Sequence, residues 1–132
     1  MILRRLHLAV GIAGIIAFIL TGQYMRRAID MESMRDLPRM LYRSAHIYLL
    51  LASLLNLMLG FYLREAGGGW RSWVRRIGSA PILLAPPLFL MAFASEPQLA
   101  DFSRPYAIPA VVACLLGVIL HTISQLGERE HR

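Results

Sequence analysis

Residues 41–63 read LYRSAHIYLLLASLLNLMLGFYL, and beyond Arg43 no charged residue occurs before Arg64. A helix needs about 20 predominantly apolar residues to cross the hydrocarbon layer of a bilayer. Lipid offers no partner for backbone amides and carbonyls, so a run of this length and composition is expected to be a membrane-spanning helix. The run is not uniformly apolar. Arg39, Tyr42, His46, Ser53 and Gly60 recur on one helical face, with Asn56 at its margin. A polar stripe inside a membrane is costly, so it is expected to face protein rather than lipid.

Working outward, three further apolar runs occupy roughly residues 6–25, 77–94 and 106–124. The 132-residue chain is 57% hydrophobic and 17% charged, a balance too apolar for an ordinary soluble domain. The expected fold is therefore all-α: a single transmembrane domain over 1–132, an integral membrane four-helix bundle of up-down topology. Tyr24, Tyr42, Tyr62, Trp70, Trp73 and Tyr106 stand at or near run ends, where interfacial aromatics belong. The first run is preceded by Arg4 and Arg5, as a signal peptide would be. Its end, LTGQYMRR, lacks a small-x-small cleavage site, so it is expected to be a retained helix. Pro81, Pro86 and Pro87 fall in the third run and predict a kink or an unwound turn there.

The net charge is +6, and all 14 basic residues are arginine. The arginines lie at the ends of apolar runs rather than on one face of a folded domain, which argues against nucleic acid as a partner. Arg4, Arg5, Arg64, Arg71, Arg75, Arg76, Arg129 and Arg132 would share one side of the membrane with Glu65, Glu128 and Glu130. On the other side Arg26, Arg27, Arg35, Arg39, Arg43 and Arg104 are nearly balanced by Asp30, Glu32, Asp36, Glu96 and Asp101. By the positive-inside rule both termini are expected in the cytoplasm of a bacterial inner membrane, with the second side periplasmic. The single cysteine, Cys114, excludes an internal disulfide and reads as a small buried thiol.

No carboxylate lies deep in any run, which weakens proton-coupled transport. The titratable membrane residues are His7, His46 and His121. His7 opens the first run and His121 nearly closes the fourth, so both are expected one turn inside the same face. His7 shares its helical face with Gly11, Gly14, Phe18 and Met25; His121 shares its own with Gly117, Cys114, Ala110 and Ala107. Two imidazoles, each with a glycine one turn deeper (Gly11 and Gly117), are what a flat macrocycle held between two axial ligands would need. Haem iron accepts histidine nitrogen, and bundle cores are a usual place for cofactors. On this reading His7 and His121 are metal ligands of a b-type haem. The competing reading is packing: small residues at this spacing also bring membrane helices together, and a histidine near a helix end can face headgroups.

His46 lies toward the opposite face. It is a candidate ligand for a second haem, with Met25 the other ligand, or a histidine bonded to a loop or lipid phosphate beside Arg43. Met25, Met31, Met34 and Met40 gather around the first loop. Thioether sulfur suits Cu(I), though Met31 and Met34, with Ile29 and Leu37, equally form the apolar face of a short surface helix. Gly67-Gly68-Gly69 opens no strand–helix unit and so cradles no phosphate. No hydrolytic set and no Cys-x-x-Cys-His attachment site is present, so any haem is non-covalent.

Helix number, His7, His46 and His121 near membrane faces, and glycines beside two of them give the chain an architecture that resembles the small four-helix b-type cytochromes of bacterial membranes. That resemblance implies an electron-transfer subunit rather than an enzyme. Three membrane histidines are too few for the two bis-histidine pairs such cytochromes often hold, leaving one haem b. The alternative is a non-catalytic accessory or assembly subunit. Either role implies the lipid bilayer and a membrane protein partner, or a second copy of the chain, as partners.

Overall fold

The computed structural model describes residues 2–63, 69–99 and 101–126. Four helices follow one another: α1 (Ile2–Arg27), α2 (Asp36–Tyr62), α3 (Trp70–Ser95) and α4 (Ala107–Leu126), with a short 3-10 turn, Glu96–Gln98, after α3. No strand occurs among the described residues. All four helices are long and apolar enough to cross a membrane.

The helices run past the apolar runs that predict them. α3 begins at Trp70 rather than near 77, because once the chain is committed to helix, Arg71, Arg75 and Arg76 continue the hydrogen-bonded ladder. The prolines do not unwind it: α3 is helical through Pro81, Pro86 and Pro87. The methionine-bearing connection between α1 and α2 is turn and bend rather than a short helix. Asp30 organises it by accepting the amides of Glu32 and Ser33. The Ser33 hydroxyl first, and then these amides, hold the Asp30 carboxyl below its ordinary range.

Consecutive helices lie side by side and antiparallel. Arg4 near the start of α1 donates from Nε to Gly60 O near the end of α2, at 2.9 Å. Arg75 near the start of α3 donates to Ser124 Oγ near the end of α4, at 3.4 Å. The closest packing is α1 on α2 and α3 on α4; α2 also lies against α3, and α1 meets α3 more lightly.

Glycines set the two tightest crossings. A Cβ on Gly11 would lie 2.9 Å from the backbone nitrogen of Leu57, and one on Gly60 would lie 2.9 Å from that of Leu8. Likewise a Cβ on Gly78 would stand 2.9 Å from Leu120 Cβ, and one on Gly117 would be 2.7 Å from Gly78 O. Backbones this close leave no space for a side chain, which is how helices associate where lipid removes the hydrophobic drive.

The interior is small and partly polar, while the outside is apolar. Ala45, Leu49, Ala52, Ala85, Phe89, Ala92, Phe93, Ala107 and Ala110 form the hydrophobic core. His7, Ser53, Asn56, Ser79, Glu96 and Ser124 are fully buried, whereas Ile12, Ile16, Leu51, Leu54, Leu84, Leu115 and Ile119 are exposed.

Candidate functional site

At the end of the molecule that holds the start of α1, five polar side chains meet: His7 (α1), Asn56 (α2), Ser79 (α3), and His121 and Ser124 (α4). His7 Nδ1 lies 2.7 Å from Asn56 Oδ1. His121 Nε2 lies 3.0 Å from Ser79 Oγ. The Ser124 hydroxyl donates to His121 O at 2.7 Å and accepts from Arg75, which is 5% exposed. The two imidazole rings stand 6.5 Å apart, centre to centre, at 70° to one another.

Each ring has one nitrogen engaged and one without a hydrogen-bond partner: His7 Nε2 and His121 Nδ1, both buried. Burying an unmatched polar atom costs about 1–3 kcal/mol, so two of them in adjacent rings form an arrangement that a shared ligand would relieve. With metal–imidazole bonds of about 2.0–2.1 Å, two rings sharing one ion bring their centres to roughly 6 Å. The engaged nitrogen of each ring bonds a side-chain oxygen, the usual outer support of a metal-binding histidine.

The donor set therefore fits an iron held between two imidazoles. The two candidate ligands come from different helices, α1 and α4, and their ring centres are 6.5 Å apart. Gly11 and Gly117 do not have the role expected of them. The clearance beside Gly11 is taken by Leu57 and that beside Gly117 by Ile82 and Gly78. These glycines hold α1 to α2 and α3 to α4.

His46 belongs to a separate cluster near the other end. The Thr21 hydroxyl donates to Phe18 O at 3.0 Å, so its oxygen accepts from His46 Nδ1–H at 2.9 Å. The His46 ring stacks on Phe18 at 4.1 Å. The polar stripe of α2 thus faces protein, but it divides between two destinations: His46 turns to Thr21, and Asn56 to His7. Met25 packs against the hydrophobic core. An apolar cavity of about 220 Å³ lies midway along the helices, between Val10, Ala13 and Ala17 of α1 and Pro86, Pro87 and Leu90 of α3. It has no polar lining to direct a reaction and does not include the histidine pair.

Sequence reasoning missed a buried charge. Glu96, read as a loop residue, is fully buried. Its Oε1 accepts the amides of Tyr106 and Ala107 at 3.0 and 2.7 Å, capping the start of α4. Its Oε2 takes Arg104 Nε at 3.2 Å, and Arg104 reaches on to Ser44 of α2 at 2.8 Å. The available signal was an acidic residue ahead of a helix start, beside Pro97. Among the described residues no group of three or more His, Cys, Asp or Glu side chains is placed to hold a metal. No known protein family matches the sequence, and no curated protein or solved structure matches the chain.

Proposed function

We propose that this chain is a membrane electron-transfer subunit carrying one non-covalent b-type haem, with His7 and His121 as its two axial ligands. The observation that carries the reading is the pair of buried, unpartnered imidazole nitrogens on adjacent rings of α1 and α4. His7 Nε2 and His121 Nδ1 are the nitrogens that would hold the iron, with Asn56 and Ser79 engaging the far nitrogen of each ring. When bound, haem supplies one-electron ferric–ferrous chemistry. The arginine distribution supports a bacterial inner membrane location with the haem end and both termini toward the cytoplasm.

The test is the absorption spectrum of the protein purified in detergent. A Soret band with the paired bands of low-spin haem is expected. His7→Ala and His121→Ala should each abolish the low-spin spectrum or convert it, whereas His46→Ala should leave it intact. A colourless protein that takes up no added haemin sinks the proposal and leaves the accessory-subunit reading.

A further inference from the structure

Pro86 has no amide hydrogen, so the carbonyl of Ile82, four residues earlier in α3, loses the amide donor that an α-helix would otherwise give it. Asn56 of α2 supplies one. Its Nδ2 donates to Ile82 O at 2.9 Å and, with the other hydrogen, to Ala52 O of its own helix at 2.9 Å. Two carbonyl oxygens at one end of the carboxamide settle which end is nitrogen, since the reverse orientation would set oxygen against oxygen. Oδ1 therefore faces His7.

An amide oxygen only accepts, so His7 must present a hydrogen on Nδ1, and in the neutral ring Nε2 is left as a bare lone pair. His121 is held differently. Its Nε2 meets the hydroxyl of Ser79, and a hydroxyl both donates and accepts. Either neutral tautomer of His121 satisfies that contact.

We propose that Asn56, oriented by the carbonyl that Pro86 sets free, is a positioning residue that locks His7 in the Nδ1–H tautomer. His7 is thereby the permanent ligand of the site, and His121 the exchangeable one. The inference rests on the haem reading for what the lone pair binds, but the lock itself is a property of the ligand-free protein. A ring whose far N–H is held by a carbonyl oxygen is both fixed in angle and more basic at the ligating nitrogen.

Nitrogen-15 NMR of histidine-labelled, haem-free protein in detergent micelles reads the lock directly. His7 should appear as the Nδ1–H tautomer alone, and His121 as a mixture or an exchange average. Asn56→Leu should release His7 to a mixture, whereas Asn56→Asp, which keeps an oxygen facing Nδ1, should not. Both variants disturb the bridge to Ile82, so only the difference between them reports the tautomer.

In haem titrations Asn56→Leu should weaken binding 10–100-fold and Asn56→Asp should stay within about threefold of wild type, the scale on which outer supports of a ligand act. His7→Ala should lose haem outright, while His121→Ala should retain it as five-coordinate, high-spin iron. Equal loss in both histidine variants, or equal weakening by Leu and Asp at position 56, overturns the proposal. If wild-type protein binds no haem, the haem reading fails. The NMR arm still decides the lock, and a mixed His7 tautomer there overturns it.

Discussion

Glu96 is a carboxylate with no exposed surface, and everything that makes its burial tolerable is on three neighbours: two backbone amides at the start of α4 and the Arg104 guanidinium. Removing one partner of a buried pair leaves the other charge uncompensated. Glu96→Gln should therefore lower stability by about 3 kcal/mol, the low end of the usual cost because Arg104 retains Ser44. Asp101→Asn, at an exposed site, should change it by no more than about 0.5 kcal/mol. Unfolding in mixed micelles of increasing SDS fraction measures both, and near-equal values for the two variants would remove Glu96 from its assigned place. The contrast also shows what a sequence hides at this scale. His7, His46 and His121 stand out because a titratable group in an apolar run is conspicuous. Glu96 does not, and Asn56 showed only as the margin of a polar stripe, because their importance lies in partners about ten and 26 residues away. Glu96 sits just beyond an apolar run beside a proline, so it reads as loop until the start of α4 is placed over it.

Among the elements, periodicity identified which helical face carries Gly11 and Gly117 but not what that face meets. A glycine on the face of a histidine leaves room for a ligand if the space is open and brings two backbones together if a helix fills it. The first condition is local, and the second depends on the register of α2 and α3, which no spacing within α1 or α4 encodes. The resulting expectation is specific. Gly78→Leu drives a side chain into Leu120 and the Gly117 carbonyl, and overpacking of this kind costs about 1–3 kcal/mol. Val118→Leu, on the exposed side of α4, should be close to neutral. The same micellar unfolding separates them, and a Gly78→Leu protein as stable as wild type would mean that α3 and α4 are not joined there. α3 offers a second lesson. Its prolines suggested a kink or an unwound turn; the helix is not unwound, and the carbonyl freed by Pro86 is met by Asn56 across the α2–α3 contact.

For the whole molecule, composition alone supplied the four long apolar helices, since such runs admit few structures in lipid. It could not supply which helices touch. The pairing of α1 with α2 and α3 with α4 divides the chain into two helical hairpins, each closed by its own glycine crossing. Cutting the chain within residues 64–68 and co-expressing the halves should give two fragments that co-purify and, on the haem reading, regain the Soret band, while each half alone stays colourless. Failure of two membrane-inserted halves to co-purify would show that the connection, not side-chain packing, holds the hairpins together.

The division has a consequence for how the protein matures. Each hairpin carries one imidazole together with its own support, His7 with Asn56 and His121 with Ser79. On the haem reading the first half can leave the insertion machinery with His7 and Asn56 paired, but the Asn56 carboxamide is fixed only when Ile82 of the second half reaches it, and neither half brings both histidines. On the same reading, capture of haem between two histidines is deferred until both hairpins have docked. On that reading insertion and cofactor loading become separate events in biogenesis, and a chain interrupted after its second helix lacks both His121 and the carbonyl that fixes Asn56.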